Sequence, residues 1–264
     1  MQTGKCLAIL QHHNEPVTSA AWSPDGSTFA TGSLDRRRPL ALWSSDAAPS
    51  PQPLHAYAED QCARVQDVAI AALQPSSLTH LATADGSSPT AAPLRLVVIC
   101  TDYTIHVFDH LRREKLFNLK MTDQLTCLSL SRDGREMLIN LSCGEVWTLG
   151  VADGAVRQKY RGQRQGKFVI RSCYGGASEG FVLSGGEGAP GEEGTLDFAS
   201  DLCMRSADML GRVTEAKISI WHRHSGRLIE QFPAHPDGCV NAVAWNPARP
   251  DMFASAGDDR KVQM

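Results

Sequence analysis

The chain has 264 residues, 42% of them hydrophobic, with 26 Lys and Arg against 29 Asp and Glu and a formal net charge of −3. That is enough apolar content for a buried core, and too little positive charge to hold a nucleic acid or an anionic lipid surface by bulk electrostatics. No run of 18 apolar residues occurs, so no membrane span is expected, and the start MQTGKCLAIL is not a secretory signal.

The eight cysteines, Cys6, Cys62, Cys100, Cys127, Cys143, Cys173, Cys203 and Cys239, lie far apart and form no C-x-x-C. Several fall inside apolar runs, where free cysteine acts as a small hydrophobe. A reducing setting, cytoplasmic or nuclear, is therefore expected. The sequon Asn140-Leu141-Ser142 then reads as a strand and a turn.

Short runs with period-two alternation, split by Gly, Pro, Asn and Asp, predict antiparallel strands throughout, and no window repeats at 3.6 long enough for a helix. Residues 5–10 read as an outer strand. Residues 17–22, 28–32, 40–43 and 54–58 follow as a blade over 11–58, with a turn at Ser23-Pro24-Asp25-Gly26 and a loop at 47–53. The second blade, 63–120, has strands at 65–73, 96–100, 104–108 and 115–119 around a Ser/Thr/Pro/Ala loop at 74–93. The third, 121–164, is compact, with strands at 125–130, 136–141, 145–149 and 156–160. In the fourth, 165–233, strands at 168–173 and 181–184 precede a Gly- and Glu-rich insertion at 185–216, expected to be mobile with one short helix at 198–210. Strands at 217–221 and 228–232 resume that blade. An incomplete fifth, 234–264, has strands at 239–245, 252–256 and 261–264.

The punctuation of the last stretch is more specific: strand, Trp221, a Ser-Gly turn, strand, Ala234-His235, a strand ending Trp245-Asn246-Pro247, a strand, then Gly257-Asp258-Asp259. This order resembles the WD repeat, and it recurs at the start as LAILQHHNEPVTSAAWSPDGSTFATGSLDRRRPLALW. The expected fold is all-β: an incomplete WD-repeat β-propeller with about four and a half blades of a seven-bladed type, four antiparallel strands per blade. The resemblance implies a hydrogen-bonded set of His, Ser or Thr, turn Asp and strand-end Trp in each blade. His13, Ser33, Asp35 and Trp43 supply it in the first blade, with Asp35 to Trp43 two residues longer than usual. Asp102 with Phe108 keeps the spacing without the Trp, and Trp147 has no turn Asp. Trp221 closes the third strand of the fourth blade, and His235 and Asp259 stand in the last, where Gly257 takes the place of the Ser. These are structural roles.

Catalytic imitations are weak. Gly176-Ala177-Ser178-Glu179-Gly180 spells G-x-S-x-G but joins two strands instead of a strand and a helix. The G-x-G-x-x-G at 186–191 lacks a βαβ context, and its glutamates would repel a pyrophosphate. His222 and His224 lack the further ligands that zinc requires. No catalytic, cofactor-binding or metal-ligating residue is assigned, and neither a cofactor nor a small-molecule substrate is expected. The exposed basic run Arg36, Arg37 and Arg38 is the candidate partner-binding patch.

The phrases KYRGQRQGKFVIRSCYGG, WHRHSG and AWNPARPDMFASAGDD are more particular than a generic repeat. With TSAAWSPDGSTFATGS earlier in the chain, they resemble the WD-repeat subunit of the GID/CTLH E3 ubiquitin ligase. The resemblance implies a non-catalytic scaffold that recruits substrates or regulators, with other ligase subunits and their substrates as partners and ubiquitin transfer left to RING subunits. A generic WD-repeat scaffold in signalling or vesicle traffic is the alternative reading. Members of that family carry a helical LisH–CTLH region and a seven-bladed ring. Relative to that pattern the sequence lacks the helical region and about two blades, so an open arc with exposed blade faces is expected.

Overall fold

The computed structural model describes residues 6, 8–45, 52–58, 60–73, 93–166, 168–188, 215–236 and 238–264. Among them there is no α-helix, and the strands form four four-stranded sheets and one three-stranded sheet. The first sheet is β1 (Val17–Trp22), β2 (Thr28–Ser33), β3 (Leu40–Ser44) and β4 (His55–Tyr57). The second is β5 (Val65–Ala72), β6 (Leu94–Cys100), β7 (Thr104–Asp109) and β8 (Lys115–Lys120). The third is β9 (Leu125–Leu130), β10 (Glu136–Leu141), β11 (Val146–Gly150) and β12 (Val156–Tyr160). The fourth is β13 (Ser172–Gly175), β14 (Phe181–Ser184), β15 (Ala216–His222) and β16 (Leu228–His235), and the fifth β17 (Val240–Trp245), β18 (Phe253–Gly257) and β19 (Val262–Gln263). Every sheet is an antiparallel meander in chain order, the blade pattern expected of WD repeats.

Local chemistry sets the meander. In the first and third sheets a Ser-x-Asp-Gly turn closes the first hairpin. Ser23 Oγ donates to Asp25 Oδ1 at 2.6 Å, and Gly26 N donates to Ser23 O at 2.9 Å with Gly26 at φ 71°. Ser131, Asp133 and Gly134 repeat this at 2.6 Å, 2.9 Å and φ 70°. A left-handed residue is required at that place, and glycine adopts it without a Cβ penalty.

Two compact units result. One spans Met1–Ser142 and Val146–Lys159, the other Cys143–Glu145 and Tyr160–Met264. In the first unit, Leu40, Leu42, Val65, Val68, Leu96, Val98 and Phe108 fill the space between the first and second sheets. Val97, Ile99, Ile105 and Val107 point the other way, onto Met137, Ile139 and Leu141 of the third. The second sheet is thus covered on both faces, which is why LRLVVIC reads as a continuous apolar run. Each fully buried Leu, Ile or Val of this kind is worth about 1.5–3 kcal/mol. In the second unit Leu183 and Ile218 pack on Val240 and Val243. Gly175 admits the Trp245 ring so closely that a Cβ there would lie 2.1 Å from Trp245 Cδ2. The outer strands β8, β12 and β16 are largely exposed and carry Lys115, Lys120, Arg157 and Lys159, charges that discourage edge pairing.

Three sequence expectations change. Residues 6 and 8–10 are not strand, and Ile9 is 72% exposed. This run is expected as the outer strand of a blade whose inner strands lie elsewhere in the chain, but its described residues join no sheet. Residues 168–171 are loop as well, because Glu187 Oε1 accepts from the N–H groups of Gly166 at 2.8 Å and Phe168 at 2.9 Å and holds the chain out of β13. Finally, residues 185–188 do not begin a loose excursion. Val240 N donates to Gly186 O at 3.0 Å, and Gly188 N to Gly238 O at 2.9 Å. At the far end Ala216 is buried within β15. The expected loop core at 74–92 and the insertion at 189–214, with its helix at 198–210, lie outside the described residues.

Candidate functional site

The hydrogen-bonded sets of the first and fifth sheets show what the repeat residues do. In the fifth, His235 is fully buried, with Nδ1 2.7 Å from Asp259 Oδ1 and Nε2 3.0 Å from Ser255 Oγ. The carboxylate accepts, so Nδ1 carries the proton and Nε2 accepts from the serine hydroxyl. Burial works to raise the Asp259 carboxyl. The hydrogen bond from His235 and the Lys261 N–H outweigh it and hold the pKa below the ordinary value.

The first sheet corrects two assignments at once. The residue that bridges His13 and Trp43 is Thr31, not Ser33: Trp43 Nε1 donates to Thr31 Oγ1 at 2.9 Å, and His13 Nε2 lies 2.7 Å from the same oxygen. Ser33 instead donates to Pro16 O at 2.9 Å and accepts from Asp35 N at 3.1 Å. By the same register Ser255 occupies the Thr31 position, two residues before Gly257, so the fifth sheet does not lack its hydroxyl. A Cβ at Gly257 would lie 2.6 Å from His235 Cγ, so the glycine makes room for the ring.

Asp35 is also displaced. His13 Nδ1 faces the carbonyl of Arg38 at 2.6 Å, while Asp35 accepts from Asn14 N at 2.8 Å, Arg37 N at 2.9 Å and Arg38 N at 3.3 Å. The two extra residues between Asp35 and Trp43 bring a backbone carbonyl to the place of the carboxylate. The Asn14 N–H is the largest influence on Asp35 and, against burial, lowers its pKa.

Elsewhere the set is dismantled. Asp102 accepts from Thr104 N at 3.2 Å and from its hydroxyl at 3.0 Å, but Val98 and Phe108 stand where the Thr and Trp would be. Trp147 packs against the third sheet's core, with Lys159 Nζ 3.5 Å from its ring centre. Trp221 is fully buried and donates to Arg161 O at 2.8 Å. These side chains hold backbone in place, and none is arranged for chemistry.

The motif imitations resolve similarly. Ser178 lies in a single 3-10 turn, Ala177–Glu179, between β13 and β14 and has φ 53°. The His222 and His224 rings are 6.1 Å apart, and His222 Nδ1 is 3.0 Å from Ser225 Oγ. Among the described residues these two histidines belong to no group of three metal-ligating side chains. The one such group is Cys62, Cys100 and His106, all buried, which the sequence reading did not connect.

The basic patch acquires a shape. Arg36, Arg37 and Arg38 are exposed. Arg36 lines a cavity of 280 Å³ together with Ala63, Arg64 and Thr101. Two arginines beside one concavity bring positive charge that suits a carboxylate or similar anion. Arg64 was not singled out by the sequence, since it lies 28 residues away with no charged neighbour.

Comparison with known proteins agrees with the blades. Residues 4–37 and 226–264 match the WD domain, G-beta repeat. The whole chain aligns at 27% identity with a WD repeat-containing protein 26 homolog of Arabidopsis thaliana, covering 36% of that protein. Over 99% of the chain it is 29% identical to GID complex subunit 7 of Schizosaccharomyces pombe, covering 42% of it. Over 94% it is 28% identical to the WD repeat-containing protein WDS homolog of Arabidopsis thaliana, covering 38%. The chain therefore spans less than half the length of these relatives. Their names describe repeat proteins and a complex subunit, not enzymes. Its sheets and matched segments thus carry WD repeats, and along its length the chain is similar to GID complex subunit 7 and to the WD repeat-containing protein 26 homologs.

Proposed function

We propose that the chain is a non-catalytic adaptor that recruits substrates or regulators to a GID/CTLH-type E3 ubiquitin ligase in the cytoplasm or nucleus. The observation that carries this reading is similarity to GID complex subunit 7 along 99% of the chain, at a fold whose rigid sheets display loops. Its partners are other ligase subunits and the proteins they modify. The concavity formed by Arg36 and Arg64, with Arg37 and Arg38 beside it, is the contact for an acidic segment of a partner. Such exposed charge acts on association more than on folding.

Affinity purification of the tagged chain from cells that contain the ligase tests the proposal. Recovery of RING subunits is expected. A clean recovery of other complexes without any ligase subunit would favour a WD-repeat scaffold of another pathway. Replacing Arg36, Arg37, Arg38 and Arg64 by Glu should reduce capture of at least one ligase partner while leaving the thermal transition in place; unchanged capture of all of them would remove the patch.

A further inference from the structure

The second sheet lacks the hydrogen-bonded set, and something else fills its place. Val98 pairs opposite His106 as Thr31 pairs opposite Ala41, and Cys100 pairs opposite Val65 as Ser33 pairs opposite Val17. Cys100 therefore stands where the first sheet has Ser33. Around it the chain gathers two thiols and an imidazole. Cys62 Sγ is 3.3 Å from Cys100 Sγ, and a ring nitrogen of His106 completes a group whose donor atoms all lie within 4.8 Å of one another. The three residues are 1%, 0% and 6% exposed.

Two neighbouring cysteines alone would be explained as small core residues. The imidazole is not explained in that way. His106 Nδ1 is buried and has no hydrogen-bond partner among the described residues, although buried polar atoms are nearly always paired. Support around the group is firm: Cys100 and His106 sit on the adjacent strands β6 and β7, and Cys62 N donates to Ala58 O at 3.2 Å.

The geometry points to a zinc site formed by Cys62, Cys100 and His106 in the wall between the first and second sheets. Two sulfurs and one imidazole are a donor set that Zn²⁺ takes readily, leaving its fourth position to another ligand. At Zn–S bonds of about 2.3 Å a tetrahedral pair of sulfurs stands about 3.8 Å apart, so the thiols need to separate by only about half an ångström. The hydrogen bond with Cys62 and burial push the Cys100 thiol up, opposed by a hydrogen bond from His106. On binding, each thiol releases its proton to solvent, the sulfur lone pairs form the bonds to zinc, and no electron changes hands. Two thiolates neutralise the dication, and a neutral complex avoids the penalty that an apolar interior imposes on charge. The cation would then hold the loop before β5 to the middle strands, the task that Thr31, His13 and Trp43 perform in the first sheet.

The test uses the full chain, reduced and metal-free, incubated with Zn²⁺ and desalted. One zinc retained per chain is expected, with none retained by the Cys62→Ala/Cys100→Ala variant and one retained by Cys127→Ala. X-ray absorption on the unmutated zinc protein should show two sulfurs and an imidazole, which keeps the proposal open to refutation if the double variant does not fold. No retained zinc, equal zinc in a folded double variant, or a ligand shell without sulfur would each overturn it. So would a reduced protein that takes up no zinc and only forms a Cys62–Cys100 disulfide in air.

Discussion

His235 and Asp259 are joined by a 2.7 Å contact between Nδ1 and Oδ1, both side chains almost wholly buried, and the other imidazole nitrogen meets Ser255 Oγ at 3.0 Å. The chain from β16 to β18 is tied at this one ring. Replacing Ser255 with Ala leaves Nε2 without its donor inside the second unit. A loss of about 1–2 kcal/mol in denaturant-unfolding stability is expected, and an unchanged midpoint would show that the hydroxyl is dispensable.

Gly257→Ser separates the reading from sequence and the reading from structure. If the glycine merely replaced a repeat serine, restoring Ser would stabilise the sheet. Since a Cβ at this position meets the His235 ring at 2.6 Å, the variant is instead expected to lose about 1–3 kcal/mol. Thermal or urea unfolding decides the sign.

Thr31→Val keeps the shape but removes the oxygen shared by Trp43 Nε1 and His13 Nε2. Leaving those two groups unpaired should cost about 2–3 kcal/mol. Tryptophan fluorescence should move with it, since the indole of Trp43 loses its partner. A change below about half a kcal/mol would place the anchor elsewhere.

Glu187→Ala removes the carboxylate that accepts from Gly166 and Phe168. Limited trypsin digestion should then cleave after Arg164 sooner than in the unmutated chain, while far-ultraviolet circular dichroism is preserved. Equal cleavage rates would mean that backbone contacts, such as Glu187 N to Arg164 O at 2.9 Å, suffice to hold the loop.

Acid should weaken the first hairpin through Asp25. Hydrogen bonds from the Ser23 and Ser27 hydroxyls lower its pKa from 3.8 to about 2. The folded carboxylate therefore binds fewer protons than the unfolded one across that interval. Its stabilisation is fully present above 3.8 and disappears as the pH falls toward about 2. The melting temperatures of the unmutated chain and Asp25→Asn should differ at pH 5 and converge toward pH 2. Parallel curves would exclude this contribution.

What the amino-acid sequence determined alone is what local chemistry encodes. Short apolar runs, most of them alternating with period two and split by turn residues, located the strands among the described residues to within a few residues, apart from 5–10 and 168–171, because successive side chains on a strand point to opposite faces whatever the partner. Ser-x-Asp-Gly located the first hairpin turn of the first and third sheets, because hydroxyl, carboxylate and glycine act within four residues. Register and assembly across tens of residues were decided only by the tertiary structure. Thr31 and Ser33 lie on the same face of β2, so alternation does not tell them apart; the indole of Trp43 selects Thr31 because β3 pairs with β2 at Phe29. Cys62, Cys100 and His106 are separated by 38 and 6 residues, and only the β6–β7 pairing and the path of the loop before β5 bring them together; Arg36 and Arg64, 28 residues apart, meet through the packing of the first sheet on the second.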